Sequence, residues 1–229
     1  MPILSTETML HGRVSLALHT LRARETGPAL LLLHALYGSS EDWDGARLDA
    51  WPGPVHALDF SGHGASDWLP GGGYAPEVFV AEADCAIARL ADGGRDVHLA
   101  GAGVGAYVAL LLGGARPEAV RSCLLLPGAG LEGGGMLPEE VDRFSSEAWA
   151  ASLAAPGRRK GEPPPDPLVN RCERDVRPLY YAEEFARAAP PLHVAGMDAL
   201  PPWLETARAT AGVHAAPSDL GDALRQIAG

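Results

Sequence analysis

The sequence predicts an α/β fold in which a mostly parallel, doubly wound sheet is covered by helices on both faces. Three observations carry that expectation. Residues 29–34 read Ala-Leu-Leu-Leu-Leu-His, an unbroken aliphatic run of the kind that a strand buried on both faces requires. Strand-like and helix-like stretches alternate over most of the 229 residues. In mid-chain a glycine-rich turn, Gly101-Ala102-Gly103-Val104-Gly105, separates an apolar run from a helical pattern.

Taken in order, residues 14–21 alternate loosely and read as an early strand. The aliphatic run at 29–34 is the next, and 54–59 a shorter one. Residues 77–91 carry a helical pattern through Val78, Ala81, Cys85, Ala88 and Leu90, closed by Gly93-Gly94. A strand at 96–100, a helix at 104–112 and a strand at 120–126 follow. The last strands are expected at 191–196 and 213–216, with helices at 204–211 and 220–228.

One stretch breaks the alternation. Between Pro127 and Pro190 the pattern offers a glycine-rich turn at 128–135, a helical piece at 139–152 and a second at 177–188. The run Gly157-Arg158-Arg159-Lys160-Gly161-Glu162-Pro163-Pro164-Pro165 between them reads as a solvated loop. An insertion in this place is most simply a cap over the carboxyl edge of the sheet. The expected organisation is one domain, with core in 1–127 and 191–229 and the cap in 128–190.

Composition narrows the function classes. With 29 acidic and 18 basic residues the net charge is −11, which argues against nucleic acid or an anionic membrane as partner. No apolar run approaches a membrane span, and residues 1–10 lack a basic start and an apolar stretch of signal length. The expectation is a soluble cytoplasmic protein. Lys160 is the only lysine, and alanine and glycine abound, which suggests a GC-rich bacterial genome. Cys85, Cys123 and Cys172 are odd in number and far apart, so neither a disulfide framework nor a zinc site is expected. No cofactor is expected either.

Two turns give the fold a family resemblance. His34-Ala35-Leu36-Tyr37-Gly38 looks like the H-G-x-x-G turn that supplies an oxyanion-hole amide, with Ala35 in place of glycine. Asp59-Phe60-Ser61-Gly62-His63-Gly64-Ala65-Ser66-Asp67 resembles D-x-x-G-x-G-x-S-D, the most specific local match. With the turn at Gly101, shaped like the G-x-S-x-G nucleophile elbow, the order of pieces resembles the α/β-hydrolase superfamily over nearly the whole chain.

At the catalytic positions the sequence departs from that pattern. The nucleophile slot is Gly103. Counting three residues past Gly196 puts Ala199 in the acid slot, with Asp198 one residue early. After the last strand the chain runs Ser218-Asp219-Leu220-Gly221-Asp222 with no histidine, so Gly221 stands in the base region, and His214 would lie inside the strand itself. The triad acts as a unit, and removing its serine or histidine costs on the order of a million-fold in turnover. The resemblance therefore implies a hydrolase fold without serine-hydrolase activity.

What remains is the binding half of the site. The amides of Val104, and of Ala35 or Leu36, are expected to face a common point beside Gly103, where they could bind a carbonyl or carboxylate. Leu36, Tyr37 and Trp68 are expected to line the pocket, with Tyr180 and Tyr181 as candidates from the cap. The expected partner is a small molecule.

Three rivals stay open. Gly101-Ala102-Gly103-Val104-Gly105-Ala106 also fits the dinucleotide fingerprint G-x-G-x-x-A, but the next strand ends Leu124-Leu125-Leu126-Pro127 without the carboxylate that would hold a ribose. His34, Asp59, Ser61 and His63 could support proton transfer of an isomerase or lyase type, or the chain could be a divergent ester hydrolase without a standard triad. The competing expectation is that His34 and His63 bond the backbone, that Asp59 caps its turn, and that His193 is a core histidine. Last, the chain could form a homo-oligomer or serve as scaffold for an active relative.

Overall fold

The computed structural model describes residues 3–43, 45–131, 165–173, 177–196 and 200–228. Its centre is an eight-stranded sheet in the order β1-β2-β4-β3-β5-β6-β7-β8. The strands are β1 (Ser5–His11), β2 (Val14–Arg22), β3 (Ala29–Leu33), β4 (Val55–Leu58), β5 (Val97–Ala102), β6 (Cys123–Leu126), β7 (Leu192–Ala195) and β8 (His214–Ala216). Only the β1–β2 and β2–β4 pairs are antiparallel; from β4 to β8 every pairing is parallel.

The aliphatic run explains the two-sided cover. All five residues of β3 are buried, and their side chains alternate between faces as strand geometry demands. Leu31 and Leu33 join a core under helices α2 (Pro76–Leu90) and α3 (Val104–Ala115), while Leu30 and Leu32 join a second with Leu48, Trp51 and Leu224. The second face is covered by α1 (Gly45–Leu48) and α6 (Leu220–Ala228). Helix α3 is buried from Val104 to Gly113, so it reads as apolar on every side. Tyr107 on α3 meets Trp203 of α5 (Pro202–Ala209) edge to face, with ring centres 5.0 Å apart.

Within the described residues the expected elements lie within a few residues of the observed ones, and β1 and α1 are additions. The residues of β1 alternate poorly because only Met9 is buried, and the strand is held by its backbone ladder to β2. Strand β5 runs to Ala102, two residues past its expected end, because Ala102 still pairs with Leu126. Of the expected cap, the helical piece at 139–152 and most of the loop at 157–165 lie outside the described residues. Helix α4 (Leu179–Ala188) packs on α3 and α5. The backbone of Phe185 lies so close to Gly114 that a Cβ there would come within 2.6 Å of the Phe185 carbonyl. The stretch around the 3-10 turn Pro167–Cys172 bonds to the loops after β3, β4 and β6 through Tyr37, Gly62 and Leu131.

Candidate functional site

The turn from β5 into α3 is a strained elbow centred on Gly103, with φ 53° and ψ −121°. A residue with a Cβ held there carries a cost of about 1–3 kcal/mol, which glycine avoids. The outer glycines permit the sharp bend itself: a Cβ on Gly101 would lie 2.2 Å from the Gly105 carbonyl oxygen. Gly103 faces a second restriction. A Cβ on it would stand 2.1 Å from the Ala129 carbonyl oxygen and 2.7 Å from the Gly128 carbonyl carbon. The space that a nucleophile's side chain would need is filled by the chain's own backbone.

The same carbonyl occupies the amide pair. Leu36 N–H and Val104 N–H both donate to the Ala129 oxygen, at 3.1 and 3.0 Å. Two amides from different loops thus converge on one oxygen beside Gly103, and between Ala35 and Leu36 it is Leu36 that supplies the first. Residues 127–131 form a strap whose root is fixed by Gly103 N–H to the Leu126 carbonyl, at 3.1 Å, and whose far end is fixed by Leu131 N–H to the Cys172 carbonyl, at 2.8 Å. Tyr37 sits in the left-handed region at φ 66°, and its hydroxyl meets Asn170 Oδ1 and lies 2.8 Å from Glu173 Oε2. Trp68 is 49% exposed, and Tyr180 and Tyr181 stack edge to face on the exposed side of α4.

The turn after β4 is organised by Asp59. Its Oδ2 accepts from His19 Nε2 at 2.9 Å and from Ala65 N–H at 2.8 Å, and its Oδ1 accepts from Ser40 N–H at 2.7 Å. Burial alone would raise this carboxyl, but the His19 bond, the neighbouring His34 and the Ala65 and Ser40 amides outweigh it and hold Asp59 below the usual carboxylate range. His34 is committed at both nitrogens. Phe60 N–H donates to its Nε2 at 3.1 Å, so the proton is assigned to Nδ1, 2.7 Å from the Ala35 carbonyl. The histidine–carboxylate pair at this edge is thus His19–Asp59 and not His34–Asp59. Sequence reasoning passed over His19 because nothing in β2 marks one histidine as different from a core residue.

His63 and Glu82 lie beneath that turn. The His63 ring sits 4.8 Å from that of His34, its Nδ1 is 3.1 Å from the Ser61 carbonyl, and its Nε2 is buried without a partner. Burial, with His34 alongside, pushes its pKa down to about 3, so the ring is neutral at pH 7. Glu82 on α2 accepts from Ser61 N–H at 2.9 Å through Oε2, while Oε1 is buried without a partner. Burial pushes Glu82 up to about 7. The folded state therefore holds this proton more tightly than the unfolded chain, and the stability it confers is complete below about pH 4.3 and is lost as pH rises through 7. Glu82→Gln is expected to exceed the wild type in melting temperature at pH 8, with the gap closing toward pH 4.5. A pH-independent difference in a thermal melt series would contradict this.

The remaining predicted positions fall apart spatially or lie unseen. Asp198 and Ala199 are outside the described residues. Gly221 is buried in the first turn of α6. His214 is exposed on the edge strand, its ring 5.1 Å from that of His193, and His193 Nδ1 lies 3.3 Å from Gln226 Nε2. Cys85, Cys123 and Cys172 form no disulfide among the described residues. Among the described residues, no three His, Cys, Asp or Glu side chains are grouped to hold a metal ion, and no helix is long and apolar enough to cross a membrane.

Comparison with known proteins places these features in context. Residues 30–227 match the model of a family described as the alpha/beta hydrolase family. A thioesterase domain from the curacin biosynthetic pathway superposes with a TM-score of 0.70 at 17% identity, covering 98% of this chain and 97% of that one. A hydrolase from Pseudomonas aeruginosa PA01 gives 0.71 at 20% identity, over 93% and 90% of the two chains. The bottromycin epimerase BotH, in complex with bottromycin A2, gives 0.66 at 17% identity, over 97% and 98%. At these identities the likeness is one of fold. None of the curated proteins compared matches significantly.

Proposed function

The chain belongs to the alpha/beta hydrolase family, and from that footing we propose that it is a non-hydrolysing member that binds a small molecule through a carbonyl or carboxylate. One observation carries the reading: Leu36 and Val104 aim their amides at a single oxygen, while the space beside Gly103 has no room for a nucleophile. Such a pair can receive a ligand's oxygen in exchange for the Ala129 carbonyl and lacks the group that would attack the carbon bound to it. The glycine at position 103, the alanine at position 199 and the absence of histidine from 215 to 229 support the loss of hydrolysis. The test is direct. Purified protein is expected to turn over nitrophenyl esters no faster than a bulk-protein control and to take up no fluorophosphonate label. A labelled residue at the carboxyl edge of the sheet would overturn the proposal.

A second reading, proton transfer without a covalent intermediate, is favoured by two facts. The fold is shared with a protein described as an epimerase, and His63 Nε2 is left with an unused lone pair. Against it, a ring at about 3 is far from the near-neutral value that suits a general base. His34 and Asp59 are tied to the turns they hold. Loss of a solvent-deuterium exchange activity in His63→Ala would raise this reading above the first.

A further inference from the structure

We infer that the strap at 127–131 is a built-in occupant of the amide pair, so that the site is shut at rest and opens preferentially to a carboxylate. The inference rests on the binding role proposed above and concerns how that role is controlled. The strap fills the pocket with an acceptor of its own. The Ala129 oxygen takes both amides, and the chain on either side is shaped to bring it there. A Cβ on Gly128 would come within 2.8 Å of the Gly103 nitrogen. One on Gly130, whose φ is 105°, would come within 2.9 Å of Val104 Cβ and 3.2 Å of Leu36 Cβ. Small residues on both sides of Ala129 are what let its carbonyl reach the pair. Beyond it, Leu131 is 1% exposed and its N–H is bonded to Cys172, so the strap is anchored on both sides of the pocket.

An incoming ligand must therefore displace a peptide carbonyl that is already bonded twice. A neutral ketone, ester or amide offers the two donors an acceptor of the same kind, and the exchange brings no net hydrogen-bond gain. A carboxylate offers charge-assisted bonds, roughly twice as strong, and meets the positive end of α3. Competition by the strap thus converts a pocket open in principle to any carbonyl into one that selects for charge.

The test uses the full-length chain labelled with 15N and 13C, with hexanoate and hexanamide as matched probes. Through-hydrogen-bond correlations are expected from the Leu36 and Val104 amides to the Ala129 carbonyl carbon. Titration with hexanoate is expected to remove both correlations together and to shift both amides with one saturation curve. Hexanamide is expected to bind on the order of tenfold more weakly. Gly130→Ala, which crowds the strap out of place, is expected to bind hexanoate several-fold more tightly, because the competent fraction rises. If the correlations are missing without ligand, the strap is not an occupant and the inference fails, while the proposed binding role stands. Equal binding of acid and amide also defeats it alone. If neither probe moves either amide at 100-fold excess over millimolar, the binding role and the inference fail together.

Discussion

Gly103→Ser is expected to lower the melting temperature by roughly 5–10 °C and to leave ester turnover at background. Two effects add. The elbow's φ of 53° and ψ of −121° cost a residue with a Cβ about 1–3 kcal/mol. The new Cβ would also fall 2.1 Å from the Ala129 oxygen, so the strap must retreat and give up its bonds to Leu36 and Val104. For a chain of this size each kcal/mol is worth about 2–4 °C. Gly103→Ala should fall by a similar amount, since the Cβ and not the hydroxyl is the offence. A serine variant that melts with the wild type would show that the backbone beside Gly103 gives way freely. One that hydrolysed esters would reveal a base within reach of the new hydroxyl.

Asp59→Ala should have the larger effect on stability. The side chain is 2% exposed and accepts three hydrogen bonds, from His19, Ser40 and Ala65. Its removal leaves the buried Ser40 amide, the part-buried Ala65 amide and an imidazole without their acceptor. Breaking a buried hydrogen-bonded charge typically costs about 3–5 kcal/mol. The expected outcome is a loss of at least 8 °C or an insoluble product, read by thermal melts and by soluble yield. The acid limb of the wild type supplies a second measurement that does not depend on the variant folding. Because folded Asp59 ionises below the ordinary carboxyl value near 3.9, its contribution is complete above that pH and fades as pH drops further. Asp59→Asn, which keeps the shape, should flatten that part of the curve. An unchanged acid limb in Asp59→Asn would show that another carboxylate dominates there.

How much of this was legible in the residues depends on whether a side chain carried the signal. The leucines of β3 announce a strand buried on both faces because a short, unbroken aliphatic run bounded by Gly-Pro and a histidine turn fits a central parallel strand. The glycines at 101, 103 and 105 announce a sharp turn between strand and helix for the same kind of reason. Strand β1 was silent because an edge strand with one buried residue needs no hydrophobic alternation. Within the site, Gly103 and Val104 could be placed from their spacing, and Leu36 narrowed to one of two neighbours. The partner of Asp59 could not be read, since His19 lies 40 positions away and is brought close only by the β2–β4 pairing. Glu82 looked like any polar helix residue, although it is fully buried against the turn at Ser61. Ala129 was invisible in principle: what matters there is a carbonyl that every residue type possesses.

That last point bears on how such a protein drifts over generations. The donors at 36 and 104 and the acceptor at 129 are all main-chain atoms, so most exchanges of those three side chains leave the seal intact. Proline at 36 or 104, a one-codon insertion within the strap, or a side chain at Gly103 or Gly130 would be the changes that register, because a contact written in backbone fails when an N–H is lost, the chain length alters or the chain is pushed aside.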